Sequence, residues 1–225
     1  MTSIIIPNSV TSIGYRSFAR CNGLTSINIP NNVNSIERYA FYSCENLNTV
    51  TIGTNVEKIG INVFAECLNI TTVIWNAKKC ESPYDDYFGY VDIFRYISHD
   101  PISGNPTISQ ITFGSEVIEI PKIGEINNGK IICLGSTPPA GGKESGIDNS
   151  TCTLYVNEQD YNTYNNALWW EDFLDIRVIE DGPTTDIINN VAQNPSNPEQ
   201  KLFHNGTIYI LRGDKIYTVT GQQVK

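Results

Sequence analysis

Residues 24–30 read Leu24-Thr-Ser-Ile-Asn-Ile-Pro30, and the same pattern occurs once before and once after this stretch at a constant spacing. The earlier copy is Met1-Thr-Ser-Ile-Ile-Ile-Pro7, and the later copy is Leu47-Asn-Thr-Val-Thr-Ile-Gly53, so the repeat period is twenty-three positions. Four further positions repeat without a gap: Val10, Val33 and Val56; Ile13, Ile36 and Ile59; Phe18, Phe41 and Phe64; and Cys21, Cys44 and Cys67. A fixed period of this length is typical of proteins that stack one short unit on the next.

One unit contains a short strand, a turn and a returning segment. Ile27 and Ile29 point to one face of the strand, whereas Ser26 and Asn28 point to the other. Pro30 ends the strand because proline cannot donate a hydrogen bond to a neighbouring strand. A single unit cannot bury its own apolar side, so the pattern predicts a solenoid in which neighbouring units share one core.

An insertion separates the fourth unit from the fifth. The fourth opens with Ile70-Thr-Thr-Val-Ile-Trp75, and the fifth opens with Ile108-Ser-Gln-Ile-Thr-Phe113. Ile108 comes fifteen positions later than the repeat period would place it. The chain therefore contains an insertion of that length, and we place it at about residues 77–107.

The repeat resembles the leucine-rich repeat of the BspA type, which is abundant in surface proteins of Bacteroidetes. The resemblance depends on Ile6-Pro-Asn-Ser-Val-Thr-Ser-Ile-Gly14, on Ser17-Phe-Ala-Arg-Cys21 and on their copies. It covers residues 1–76 closely and residues 108–121 more loosely. The family implies a β-rich α/β fold, a right-handed solenoid with a strand-lined concave face, and adhesive roles at the cell surface. It does not imply a particular ligand.

The segment at about 130–180 is predicted to cap the solenoid. Residues 130–134, 151–156 and 176–179 read as strands. Between the last two, Asn157 is the predicted N-cap of a helix whose apolar residues recur at helical spacing. These residues are Tyr161, Tyr164, Ala167, Leu168 and Phe173. Together with Trp169 and Trp170 they are suited to seal the open end of the core.

Residues 181–200 read as a linker, and residues 201–225 read as a small β-meander. The meander contains three apolar runs separated by Asn205-Gly206, Gly213-Asp214 and Gly221. This tail is similar to the C-terminal tails of secreted Bacteroidetes proteins, some of which are sorting signals.

Charge and composition exclude several classes of function. The chain has 15 Lys and Arg against 24 Asp and Glu, a net charge of −9, and no cluster of cations in the sequence. Nucleic acid and anionic lipid surfaces are therefore unexpected partners. No apolar run approaches the ~20 residues that cross a bilayer. Nor is there an export signal after Met1, so the protein is either cytoplasmic or lacks its signal in this sequence; the resemblance favours an extracellular or cell-surface location.

No motif in the chain predicts catalysis, a metal or a cofactor. Gly-x-Ser-x-Gly, His-Glu-x-x-His, Gly-x-Gly-x-x-Gly and Cys-x-x-Cys are all missing from the sequence. Cys21, Cys44 and Cys67 share one repeat position, so we expect them to stack in the core as small apolar residues. Cys133 and Cys152 flank the cap, and the sequence is compatible with two free thiols or with a disulfide between them.

Two surfaces are candidates for ligand binding. The first is the aromatic insertion, which contains Tyr84, Tyr87, Phe88, Tyr90, Phe94 and Tyr96. Tyrosine offers a large contact area and a hydroxyl group, although these rings could instead cover the gap left by the irregular fourth unit. The second is the concave face, formed by Ser26, Asn28, Thr49, Thr51, Thr72, Ile74, Gln110 and Thr112.

The sequence thus predicts an exported, non-catalytic repeat module that binds proteins or adheres to host matrix through the concave face or the insertion. The alternative is a carbohydrate-binding accessory protein that uses the tyrosines, and a third reading is a structural spacer. Since the first unit has no cap before it, its apolar edge should be bare. We therefore expect a fragment of a longer protein, or self-association through that edge.

Overall fold

The computed structural model describes residues 3–87, 89–94, 106–179, 199–204, 207–212 and 215–218. The chain divides into two units between residues 178 and 179. The strands of the first unit, in chain order, are β1 (Ser3–Ile5), β2 (Ser12–Ile13), β3 (Ser26–Asn28), β4 (Ser35–Ile36), β5 (Thr49–Ile52), β6 (Lys58–Ile59), β7 (Thr72–Trp75), β8 (Tyr84–Asp85), β9 (Gly89–Tyr90), β10 (Gln110–Phe113), β11 (Lys130–Cys133), β12 (Thr153–Val156) and β13 (Asp175–Val178).

The first unit is a parallel β-solenoid, as the repeat predicts. Eight strands of the described residues form its main sheet in the order β1-β3-β5-β7-β10-β11-β12-β13. A second sheet contains β2, β4 and β6. Both sheets keep the register of the repeat, so that Ile27 pairs with Val50 and Ile13 pairs with Ile36, each one repeat period away. The core lies inside the rungs and is lined by the apolar side chains of both sheets.

The phenylalanines form one continuous column through the core, as predicted. The ring centres of Phe18 and Phe41 are 5.2 Å apart, and those of Phe41 and Phe64 are 5.4 Å apart. The interplanar angles are 5° and 9°. Phe41 and Phe64 are fully buried. Each ring is therefore covered by the equivalent ring of the next unit.

The repeated cysteines form a second column beside the phenylalanines. The thiol of Cys44 donates a hydrogen bond to the carbonyl oxygen of Phe18 at 3.1 Å, and Cys67 donates to Phe41 at 3.0 Å. Cys152 makes the same contact with Ile126 at 3.2 Å, although it lies outside the three clearest copies of the repeat. Each thiol thus links its unit to a carbonyl of the preceding unit.

Two positions in each of the first three units have a left-handed backbone without glycine. Arg16, Tyr39 and Asn62 share one position and have φ values of 53°, 59° and 57°. The second position is occupied by Arg20, Ser43 and Glu66, with φ values of 61°, 56° and 63°. This conformation costs an L-amino acid about 1–2 kcal/mol. It is maintained here because the hydrogen bonds between units specify the turn, as in Arg20 N–H donating to Tyr42 O at 2.7 Å.

The insertion is divided into two parts, and it begins later than residue 77. Glu81 still bridges to Lys58, its partner one repeat period earlier. The Phe94 ring then stacks on Phe64 at 5.0 Å, seven positions later than the period would place it. The rest of the insertion follows Phe94 and ends before Gln110, which pairs with Thr72. For Phe94 the structure agrees with the alternative interpretation, in which a ring of the insertion covers the irregular fourth unit, because this ring is buried and continues the core column.

The solenoid continues beyond the insertion through β11, β12 and β13. The helix predicted after Asn157 is much shorter than its apolar spacing suggested. It comprises Tyr161–Asn165, with single 3-10 turns at Glu158–Asp160 and Trp170–Asp172. Asn157 precedes the first of these turns without capping it through its side chain, and it donates instead to Asp160 Oδ2 at 3.1 Å.

Three aromatic residues explain why the helix ends early. Trp169 has a φ of 70°, which a continuing helix does not allow. Its ring packs against Gly142, at a place that a β-carbon would occupy. Trp170 then donates its indole N–H to Pro139 O at 3.0 Å, and Tyr164 donates its hydroxyl to Gly135 O at 3.0 Å. The aromatic residues thus bind the preceding rung rather than one face of a long helix.

The second unit contains three antiparallel strands. They are β14 (Glu199–His204), β15 (Thr207–Arg212) and β16 (Lys215–Thr218), paired in that order. This is the predicted meander. Its first strand begins within the segment read as a linker, and residues 181–198 of that segment lie outside the described residues.

The first rung is less well covered than its copies. Val10, Phe18 and Cys21 are only half-buried, whereas their equivalents in the next two units are fully buried. The inward residues of the first unit are thus less covered than their copies, and self-association through this edge stays a prediction.

Replacing Phe41 with alanine should lower the free energy of unfolding by about 3–5 kcal/mol, because the ring is enclosed between two others. Phe18→Ala is the matched control, since the same ring at the half-buried end of the column should contribute clearly less. Urea unfolding followed by circular dichroism measures both. Equal losses for the two variants would contradict the proposed column.

Candidate binding surfaces

The outward side chains of the main sheet form two parallel rows, which we call the outer face. They arise because alternate residues of each strand point away from the core, and the register aligns them across the strands. The first row contains Ser26, Thr49, Thr72, Gln110, Lys130, Thr153 and Asp175. The second contains Ile5, Asn28, Thr51, Ile74, Thr112, Ile132, Tyr155 and Arg177.

The outer face unites the predicted concave-face residues and extends beyond them. Asn28, Thr49, Thr51, Thr72, Gln110 and Thr112 all lie on it. Sequence reasoning missed Ile132 and Tyr155, which continue the second row as half-buried side chains. The sequence does contain a signal for these two residues, because Lys130 and Thr153 are one repeat period apart. The signal is easy to overlook because the Ile-Pro-Asn motif no longer occurs in this part of the chain.

An ion pair ends the outer face at its last strand. The Arg177 Nη2 atom lies 2.7 Å from Asp175 Oδ2, and the hydroxyl of Thr153 donates to the same oxygen at 3.0 Å. The hydrogen bond from Arg177, assisted by the one from Thr153, lowers the pKa of Asp175 below its ordinary value. Both charged side chains are exposed, so the pair contributes little to stability and serves mainly to orient the two side chains.

The insertion presents two of its tyrosines on a small hairpin formed by β8 and β9. Tyr84 is 59% exposed and Tyr87 is 79% exposed. The Tyr87 N–H donates to Asp85 Oδ1 at 2.9 Å, which tightens the turn. Tyr90 belongs to β9, and its side chain is outside the described part of the structure, as are Phe88 and Tyr96 entirely.

A groove runs beside this hairpin, between it and the neighbouring rungs. Its floor includes the buried residues Ile59, Cys80 and Ile120, and Tyr84 is part of its wall. Charged groups of both signs surround the floor, and one pair of them, Lys79 and Glu119, forms a salt bridge of 2.9 Å. The groove combines an apolar floor, an aromatic ring and polar groups at the rim.

The two predicted surfaces belong to different sheets of the solenoid. The outer face is built on the main sheet, whereas the hairpin follows directly after Glu81, which bridges to Lys58 of β6 in the second sheet. The hairpin is also attached to a later rung, because the Lys122 N–H donates to Ser82 Oγ at 2.9 Å. A ligand on the outer face would therefore contact different strands from a ligand on the hairpin.

All six cysteines are free thiols, so the disulfide left open between Cys133 and Cys152 is not formed. Burial raises the pKa of Cys133, and burial together with the nearby Glu81 raises the pKa of Cys80 to about 12. The described residues contain no group of three or more His, Cys, Asp or Glu side chains that could hold a metal ion. Within the same part of the chain, no helix has the length and apolar character needed to cross a bilayer.

Comparison with known protein families agrees with the geometry of the rungs. The family described as BspA type leucine-rich repeat region matches residues 1–123 in six copies. No curated protein shows a significant match to the chain. The main sheet continues past the matched residues, since β11, β12 and β13 extend it to Val178.

The thiols should differ strongly in their reaction with maleimide at pH 8. We expect Cys21 to be labelled first because it is half-buried at the end of the column. Cys80 and Cys133 should react only after unfolding, since a raised pKa leaves little of the reactive thiolate. Mass spectrometry of digested protein at increasing labelling times measures the order. Rapid labelling of Cys133 in the folded protein would contradict this prediction.

Proposed function

The chain belongs to the BspA-type leucine-rich repeat family, and on that premise we propose that its outer face binds a protein ligand. The family supports a repeat module for protein interaction. Our proposal adds that the module is exported, is displayed at the cell surface and adheres to a protein of the host or its matrix without catalysing a reaction. The observation that carries the proposal is the continuous register of the two outer rows.

The dimensions of the outer face suit an elongated ligand. Eight parallel strands spaced by ~4.8 Å give a length of about 34 Å, and four residues per strand give a width of about 13 Å. The resulting area is roughly 450 Å², whereas a stable interface buries about 800 Å² of each partner. A ligand bound only by the sheet would therefore be held weakly. A tight complex needs contacts with the loops that border the sheet as well.

The chemistry of the two rows differs in a way that favours protein over small molecules. The first row presents hydroxyl, amide and charged groups, which can hydrogen-bond to a peptide backbone or to polar side chains. The second row places the apolar groups of Ile74, Ile132 and Tyr155 beside them. Apolar anchors next to polar groups are typical of protein interfaces. A flat sheet also lacks the deep cavity that a small substrate requires.

A second candidate function is carbohydrate binding at the hairpin. It is favoured by the exposure of Tyr84 and Tyr87, which are the two most exposed tyrosines of the described insertion. A tyrosine ring can stack on the apolar face of a sugar while its hydroxyl donates or accepts a hydrogen bond. The groove beside Tyr84 adds carboxylate and ammonium groups within the same region.

The two functions are distinguished by paired variants. Ile74→Glu places a charge in the middle of the outer face, and it should lower affinity for an immobilised matrix protein by about tenfold or more. Tyr87→Ala, on the exposed hairpin turn, should leave that affinity unchanged. Surface plasmon resonance against a panel of matrix proteins and a glycan array provide the measurements.

The opposite pattern would reject binding at the outer face. If the wild-type chain binds a glycan, and Tyr87→Ala abolishes that binding while Ile74→Glu does not, the carbohydrate function is supported instead. Circular dichroism of both variants checks that the solenoid is intact. Ile74 is an outward residue, so its replacement should leave the core packing in place.

A further inference from the structure

Two tyrosines and two arginines alternate on the turn segments of the first two rungs. Tyr15 and Arg16 of the first unit occupy the same repeat positions as Arg38 and Tyr39 of the second. The guanidinium of Arg16 lies 5.3 Å from the ring centre of Tyr15 and 5.3 Å from that of Tyr39. The two rings meet edge to face at 6.2 Å. Arg16 is therefore held by two aromatic rings that belong to different units.

The cluster extends to a third tyrosine and a third arginine. Tyr42 meets Tyr39 edge to face at 5.8 Å. The backbone of Arg20 lies against that of Tyr42, since its N–H donates to the Tyr42 carbonyl at 2.7 Å. Asn62 of the third unit donates to the hydroxyl of Tyr39 at 3.1 Å and fixes that ring. We call this cluster the Tyr–Arg patch, and its members are Tyr15, Arg16, Arg20, Arg38, Tyr39 and Tyr42.

The Tyr–Arg patch is a local concentration of positive charge on an acidic protein. The chain has a net charge of −9, yet three of its arginines, Arg16, Arg20 and Arg38, lie on neighbouring rungs. Their side chains are exposed. The ion pairs of the described residues are formed by Lys78, Lys79 and Arg177, so none of them involves an arginine of the patch. One exposed carboxylate, that of Glu37, directly precedes Arg38 in the sequence.

We propose that the Tyr–Arg patch docks an acidic segment of a protein partner. A guanidinium group presents two parallel N–H donors that match a carboxylate, and such pairs are among the stronger hydrogen bonds in proteins. Because Arg16 is already oriented by two rings, binding immobilises less of its side chain. Tyrosine and arginine are also the residues enriched where binding energy concentrates in protein interfaces.

The composition of the patch favours an acidic peptide over other polyanions. Nucleic acid binding depends on neutralising many phosphates, and three arginines on a chain of net charge −9 neutralise few. The three rings contact one another, and two of them also contact Arg16. Such rings contribute contact area to a peptide whose side chains are partly apolar. The patch lies on the turn segments, whereas the outer face lies on the main sheet, so this inference is independent of the proposed function.

The test uses fluorescein-labelled oligomers of glutamate and, as a neutral control, of glutamine. Fluorescence anisotropy with the full chain should show binding to the glutamate oligomer only, and the affinity should fall as salt rises toward ~150 mM. Arg16→Asn and Arg20→Asn should each lower the affinity by about tenfold. Asparagine is chosen because it accommodates the left-handed backbone at both positions.

Two further variants distinguish specific docking at the Tyr–Arg patch from a general effect of the protein's charge on the affinity. Lys143→Asn removes one positive charge from an exposed turn that belongs to neither proposed surface, and it should leave the affinity nearly unchanged. Arg16→Lys keeps the charge but loses the planar group between the rings, so it should bind with intermediate affinity. Equal weakening by Arg16→Asn and Lys143→Asn would overturn the proposal. So would a glutamate oligomer that does not bind, whether or not heparin or duplex DNA binds in its place.

Discussion

The solenoid depends on the contact of each unit with an equivalent unit placed in register beside it. Phe41 is covered on both sides by the equivalent rings of its neighbours, and the Cys67 thiol binds a carbonyl of the preceding unit. Neither contact can form within one unit. Residues that are one repeat period apart in sequence therefore behave as nearest neighbours in space, and every irregularity of the chain must leave that alignment intact.

The insertion shows how strictly the alignment is kept. The ring of Phe94 continues the phenylalanine column although it comes seven positions later than the repeat period would place it, and Gln110 pairs in register with Thr72. The same constraint shortens the C-terminal helix, because Tyr164 and Trp170 must reach the carbonyls of the preceding rung. Packing between rungs thus limits how far the local helical preference extends along the chain.

The candidate binding surfaces of this scaffold arise from the same register. An outward position of the repeat becomes a row of side chains at a spacing of ~4.8 Å, which is how Thr51, Ile74 and Thr112 come to form one surface. The turn positions are aligned by the same rule, and they bring Arg16 against Tyr39. Two surfaces of different chemistry therefore arise from one period, the first polar and flat, the second aromatic and cationic.

Periodicity alone was enough to identify the solenoid, the phenylalanine and cysteine columns, and most of the outer face, because those features depend only on which residues share a repeat position. The destination of Phe94, the length of the C-terminal helix and the free state of Cys133 and Cys152 were decided by the tertiary structure. So was the contact of Arg16 with the rings of Tyr15 and Tyr39. Some of these features depend on contacts between successive rungs at places where an insertion or an irregular unit has changed the spacing. Others depend on side-chain directions that left-handed turns determine. A local pattern of residues encodes neither the contacts nor the directions.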